Sequence, residues 1–305
     1  MENRTELSEF ILMGLTNLQG LEHFLFALFL LLYVASMLGN GAIVAMALME
    51  PRLHTPMYFF LGNLSCLDIC YSTVTMPKML SGFLSGCQTI SFTGCLAQLH
   101  FFHFLGSSEA VLLAVMAYDR YVAICNPLCY RLVMRQRSCL LLATASWVTG
   151  FLHALMHTVM TSQLQFCGPG CVPHFFCDIK PLLSLACGST HLNLTLLNIV
   201  TGGIVVIPFI LTLLSYLYII FFLLLKVQSW ESRRKAFSTC ASHLTVVSLF
   251  YGGAILTYVP PSSGESPEWD MMIVLLYPVI YTLRNKEVQS ALRKNLHRKL
   301  FPDRI

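Results

Sequence analysis

The chain has 305 residues, 56% of them apolar and only 11% charged, with a formal net charge of +4 at pH 7. An average soluble chain carries roughly a quarter charged residues, so this composition cannot cover a water-exposed surface, and it excludes a soluble enzyme. The small basic excess does not point to nucleic acid, because the basic residues stand where they would meet anionic inner-leaflet lipid and cytoplasmic partners.

A helix rising 1.5 Å per residue needs about 20 apolar residues to cross ~30 Å of hydrocarbon. Residues 1–23 are mixed in character and lack the basic segment and short apolar core of a cleavable leader. They read as an extracellular tail, in which Asn3-Arg4-Thr5 is a glycosylation acceptor. Phe24 to Met49 contains no Asp, Glu, Lys or Arg and supplies a first span that serves as its own insertion signal. Met57 to Met76 carries one acid, Asp68, and Ile90 to Tyr118 carries one, Glu109. Ser138 to Cys177 holds a fourth span and an outer loop with Cys167, Gly168, Pro169, Gly170 and Cys171; Asn193 to Leu225 and Ala236 to Gly264 supply the fifth and sixth. Pro77 and Pro208 are helix-bending residues of a kind that neighbouring helices tolerate in membranes. The seventh apolar segment, Met271 to Leu283, has about 13 residues and falls about seven short of a span.

Lys and Arg gather on the cytoplasmic side. If Met1 lies outside, all of the 19 except Arg4, Lys78 and Lys180 fall inside, including those after Leu283. The carboxyl end is then inside and an odd number of crossings is required. The expected fold is all-α: a seven-transmembrane helix bundle over 24–283 in the plasma membrane, its amino terminus outside and its seventh helix short. A basic tail follows over 284–305. Val288, Leu292 and Leu296 recur there among Arg293, Lys294, Arg298 and Lys299, a pattern that suits an amphipathic helix on the inner leaflet or a solvated tail. Cys95, Cys167, Cys171, Cys177 and Cys187 fall on the oxidising side, where disulfides form, and no cysteine pair has zinc-site spacing.

Asp68 and Glu109 reach a similar depth near the midplane, each about 11 residues from the inner end of its span. Two carboxyls at one level suggest a shared Na+ or a shared proton, or else two acids hydrogen-bonded to neighbours such as Asn40 and Ser72. At the inner end of the third span, Asp119 and Arg120 can pair with one another and hold the bundle shut, although a positive-inside arginine with a local counter-ion has the same sequence.

Five segments in order carry a resemblance: Leu53-His54-Thr55-Pro56-Met57-Tyr58-Phe59-Phe60-Leu61, Met116 to Cys125 with Asp119-Arg120-Tyr121 inside it, Ser215-Tyr216, Lys235 to Leu244, and Pro278 to Asn285. Together they resemble the olfactory receptors, a branch of the rhodopsin-like G-protein-coupled receptors, over nearly the whole chain. The resemblance implies disulfides Cys95–Cys177 and Cys167–Cys187, with Cys171 left over. It implies a small volatile odorant held between the third, fifth and sixth spans by His103, Gly106, Ser107, Ala110, Thr201, Ile204, Val205, Tyr251, Ala254, Ile255 and Tyr258. For each of these residues singly, helix packing is the plainer reading. It implies coupling of a stimulatory G protein of the olfactory type through Asp119, Arg120, Tyr121, Tyr216, Lys235, His243 and Tyr281, and no cofactor beyond the ion or proton at Asp68 and Glu109.

The seventh segment departs from the family pattern. Tyr277 stands where receptors of this family carry Asn, and a full span would have to draw in Glu268 and Asp270 at about 2 kcal/mol or more each. The alternative function is therefore a misfolded or non-signalling receptor product. A transporter or channel is remote, since no repeat, matched broken helices or charge ring is found, and an intramembrane enzyme lacks a metal or nucleophile motif.

Overall fold

The computed structural model describes residues 9–13, 20–51, 54–85 and 87–258, without the side chains of 87, 232, 235, 236, 238, 239, 242 and 256–258. Asn3, Tyr281, the seventh apolar segment and the basic tail lie outside the described residues, as do the side chains of Lys235 and Tyr258. The elements are β1 (Glu9–Met13), α1 (Glu22–Met49), α2 (Pro56–Ser85), β2 (Cys87–Ser91), α3 (Phe92–Cys125), α4 (Tyr130–Val133), α5 (Gln136–Ser162), β3 (Cys171–Val172), α6 (Ile179–Leu183), α7 (His191–Leu196), a π turn (Leu197–Thr201), α8 (Gly202–Lys226) and α9 (Trp230–Tyr258).

Apolar runs make long helices because hydrocarbon leaves no other partner for the backbone. Among the described residues, α1, α3, α5 and the continuous stretch His191–Lys226 are long and apolar enough to cross a membrane. Their outward faces are apolar: Leu31, Leu38, Leu141 and Phe221 are each more than 60% exposed. A monomer in water does not expose that much contiguous apolar surface. α2 runs through Pro77 to Ser85, beyond the expected end at Met76. α3 starts at a Ser91 cap whose Oγ accepts from Gly94 N–H at 3.1 Å. α3 is the central element, packed against α2, α5, α8 and α9.

The α3–α5 contact depends on a missing side chain. A Cβ added to Gly150 would meet Ser108 Oγ, lie 2.5 Å from the Phe104 carbonyl oxygen and crowd the Ser108 backbone nitrogen. Close helix approach over small residues is how membrane helices gain packing. Beside it, Trp147 Nε1–H donates to Asn63 Oδ1 at 3.2 Å, tying α5 to α2.

The all-α expectation needs a correction at the end of the bundle that carries the disulfides, called the outer end, the opposite one being the inner end. β1 pairs antiparallel with β2 (Phe10 opposite Ile90) and parallel with β3 (Ile11 opposite Cys171), giving a three-stranded sheet of order β2-β1-β3. In Glu9–Met13 the apolar Phe10 and Leu12 turn inward. Phe10 packs edge-on to Phe166, with ring centroids 5.2 Å apart. Cys95–Cys177 and Cys167–Cys187 are disulfides with Cα separations of 5.4 and 5.6 Å, and Cys171 is free. They and the sheet cover the outer end over a core of Phe10, Leu12, Leu99, Val172, Ile179 and Leu182.

Gly150→Ala is expected to destabilise the bundle by about 1–3 kcal/mol, since the clash is with backbone. Gly41→Ala, with nothing within 4 Å of the added Cβ, should cost nothing. Thermal unfolding of both purified variants in one detergent measures the difference, and equal melting temperatures would refute the close-approach account.

Candidate functional site

The outer half of the bundle encloses a cavity of about 60 Å³ between α3, the start of α8, α9 and the loop that carries α6. Of the residues expected there, His103, Gly106, Ser107, Ala110, Thr201, Ile204, Val205 and Ala254 line it. Tyr251 and Ile255 stand behind the wall: Tyr251 is fully buried and donates its hydroxyl to the Ala110 carbonyl at 2.6 Å, and Ile255 packs on the core. Sequence reasoning missed Tyr71, Phe102, His174, Phe176, Asp178, Lys180, Pro181 and Phe250, which come from α2, from the outer half of α3, from the covering loop and from α9. The His174-Phe175-Phe176-Cys177-Asp178 run next to a half-cystine was the available signal.

The loop reaches the cavity because its disulfide anchors it there. Cys177 is bonded to Cys95 and its N–H donates to Gln98 Oε1 at 3.0 Å. The next residue, Asp178, caps α6 by accepting from Ile179 N–H at 2.7 Å and faces His103 Nε2 at 3.0 Å. A carboxylate only accepts, so His103 Nε2 carries the proton of that bond. Burial opposes the charge on Asp178. The hydrogen bond and charge of His103 and the Ile179 N–H outweigh it, and hold the carboxyl below its usual range.

A second polar chain lies behind the first. His153 and His157 sit one turn apart on the buried face of α5. His153 bridges Ser107 Oγ of α3 (Nδ1, 2.8 Å) and Thr201 Oγ1 at the end of the π turn (Nε2, 2.9 Å), and His157 Nε2 meets the same Thr201 oxygen at 3.1 Å. A neutral imidazole has one donor and one acceptor nitrogen. If His153 donates to Ser107, it accepts from Thr201 and leaves the Ser107 O–H for the cavity. In the other tautomer Ser107 donates to His153 and presents a lone pair instead. The hydroxyls lining the cavity are thus set by a histidine outside it.

At the inner end Tyr216 and His243 come together, the Tyr216 hydroxyl lying 2.6 Å from Nδ1, which joins α8 to α9. The expected Asp119–Arg120 pair needs a correction. Asp119 Oδ1 accepts from the Tyr130 hydroxyl of α4 at 2.8 Å, and among the described residues no salt bridge joins it to Arg120. Adjacent helix positions point in different directions, so Asp119 turns to α4. Arg120 Nη2 reaches Met57 Sδ of α2, and its Nε has no hydrogen-bond partner among the described residues. Tyr121 packs beside Tyr218 of α8. Asp68 and Glu109 are both buried in the bundle, and Asn40 donates to Ser36 Oγ at 3.3 Å. No group of three metal-type ligands forms among the described residues.

Two outcomes follow. His153→Phe strands the Ser107 and Thr201 hydroxyls, and should cost about 1–3 kcal/mol in thermal unfolding. Adding Ser107→Ala and Thr201→Val should recover part of the loss, whereas purely additive losses would rule out the bridge. In the outer loop, burial pushes His174 down to about 4 against the partly compensating charge of Asp178. Its folded value lies below the ordinary one of ~6.5, so the unfolded chain binds the extra proton and stability falls as pH drops from ~6.5 toward ~4. His174→Phe should flatten that fall when melting is compared at pH 7 and pH 5.

The olfactory receptor family model matches residues 29–299. Human Olfactory receptor 12D1 is 55% identical over 313 positions, covering 100% of this chain and 98% of the relative. Human Olfactory receptor 12D3 is 55% identical over 99% of this chain and 98% of the relative, and mouse Olfactory receptor 5T17 is 47% identical over 98% and 95%. The chain therefore belongs to the olfactory receptor family of G-protein-coupled receptors, membrane proteins of sensory transduction and not enzymes.

Proposed function

We propose that this chain crosses the plasma membrane seven times with its amino terminus outside, binds a small volatile odorant in the outer cavity, and activates a stimulatory olfactory-type G protein that raises cAMP. The observation that carries this reading is the cavity itself, in a chain of this family. Its walls are mostly apolar, and among its polar groups Ser107, Thr201, His103 and Asp178 are held by hydrogen bonds. The orientation rests on the Lys and Arg asymmetry and agrees with disulfides at the opposite end of the bundle.

A cavity of about 60 Å³ holds a few waters at ~10–15 Å³ each, so an odorant must displace side chains to enter. Ala110 and Ala254 line the cavity, and Tyr251 latches α9 to the Ala110 carbonyl just behind them. Entry that strains this latch shifts the balance between closed and open helix arrangements, and the Tyr216–His243 bond ties the same helix, α9, to α8 at the inner end. Asp119, Arg120, Tyr121, Tyr216, Lys235, His243 and Tyr281 are the residues proposed to carry activation and coupling to the G protein. Asp68 and Glu109, both deeply buried, are proposed to share a proton or Na+.

The alignment with Olfactory receptor 12D1 spans 313 positions against 305 residues here, so the relative has residues that this chain lacks, in keeping with a shortened segment. A match running end to end does not favour a non-signalling product.

A volatile panel against a cAMP reporter in cells carrying the olfactory stimulatory G protein tests the reading. We expect an odorant-evoked response that is lost in Arg120→Ala. We also expect a raised basal signal in Tyr251→Phe, and a shift in agonist potency when choline replaces Na+, absent in Asp68→Asn. A surface-displayed protein with no response to any panel member, or one giving ion flux without the G protein, would overturn it.

A further inference from the structure

A larger space lies at the other end of the bundle: a crevice of about 720 Å³ between α1, α2 and the start of α5. That volume is within the ~300–1,000 Å³ of ligand sites. Its α2 wall runs from Pro56 to Cys66, about 15 Å at 1.5 Å per residue. That is half of the ~30 Å hydrocarbon core, the depth of one leaflet.

The crevice opens sideways. Leu48 and Leu140, on opposite walls, are 74% and 59% exposed, with Phe59 between them. In a membrane-spanning chain that exposure is to lipid. Its base is the close approach of Gly62 to Ala47, whose Cβ would lie 3.6 Å from a Cβ added at Gly62. Two polar side chains of its walls are already engaged: Asn63 Nδ2 donates to the Phe59 carbonyl at 2.9 Å and Oδ1 accepts from Trp147, and the Cys139 thiol donates to the Met134 carbonyl, while His54, Thr55 and Gln136 are exposed. Water entering such a space would find few partners, and leaving it empty would forfeit dispersion contacts along both walls. An acyl chain satisfies both constraints.

The mouth is basic. Gln136 lines it, flanked by Arg135 and Arg137, with Arg131 one α4 turn away, and all four are exposed. Between Arg120 and Cys177 the chain has no Asp or Glu, and between His23 and Leu67 its one acid is Glu50, which has a partner of its own. The Arg135 side chain makes no cap bond to α5, so its guanidinium is not committed to the helix start. Arginine forks match phosphate oxygens.

We infer that this crevice binds one anionic glycerophospholipid of the cytoplasmic leaflet, with an acyl chain along Leu48, Phe59, Gly62 and Leu140 and its phosphate on Arg135 and Arg137. The inference does not depend on odorant binding or on signalling. Which membrane face the site occupies is read separately, from the accessibility of a carboxyl-terminal epitope on intact cells.

The test is native mass spectrometry of the purified full chain, released from nanodiscs of phosphatidylcholine mixed with equal phosphatidylserine, or with cholesterol. Phosphatidylserine should be retained at least tenfold over phosphatidylcholine. Arg135→Gln with Arg137→Gln should cut that preference to about threefold or less. Leu140→Trp, which fills the crevice from an exposed wall and should not disturb folding, should abolish retention of either phospholipid; Gly62→Leu should do the same from the base. Equal retention of the two phospholipids, retention unchanged in Leu140→Trp, or retention of cholesterol alone would each overturn the proposal.

Discussion

Hydrocarbon offers no hydrogen bonds, and most of this structure follows from that constraint. Backbone groups at membrane depth must be satisfied within their own segment, so the long apolar stretches among the described residues are helices. Polar side chains must find partners in the bundle or lie at its ends. Ser107, His153, Thr201 and His157 are all buried and linked in that order by hydrogen bonds, while Leu31, Leu38 and Phe221 face outward. The arrangement inverts that of a protein in water, and the polar interior is where the chain holds its specificity.

α3 connects the parts. At its outer end Cys95 fixes the covering loop, and the residue after the bonded Cys177 supplies the carboxylate that His103 meets farther down the helix. Helical side chains lean toward the amino end, so the His103 ring tilts up to the loop and the loop need not descend the full distance. Near the middle the Ala110 carbonyl receives Tyr251 of α9. At the inner end Asp119 receives Tyr130 of α4. One helix therefore makes a hydrogen-bonded contact with the loop, with α9 and with the short inner helix, at three depths.

The cavity is small because these contacts are made. Tyr251 and the His153–Thr201–His157 chain draw α9, α5 and the π turn in toward α3. A π turn leaves backbone geometry that a regular helix does not, and here it ends on Thr201, whose side chain both lines the cavity and closes the polar chain. On the proposed reading, a ligand entering the cavity would compete with this closure and so act on helices that it touches only at one level.

The long apolar helices among the described residues and their order were legible in composition, because hydrophobic length is a property of a segment and needs no partner. The disulfide pairs and most of the cavity's α3 and α8 residues were reached through motifs that the family carries at those places. The outer sheet was not legible: five residues alternating in character, Glu9 to Met13, signal a strand only when the partners at Cys87–Ser91 and Cys171–Val172 are known to lie beside them. Nor were Asp119 turning from Arg120 to Tyr130, or His153 and His157 holding hydroxyls of two other elements. Sequence alone determined that this chain is a membrane protein built of long apolar helices, since the solvent acts on each segment separately. Tertiary structure alone decided which polar groups meet, because a buried hydrogen bond between distant residues depends on helix rotation and approach, set here by contacts such as Gly150 against Phe104 that no local pattern records.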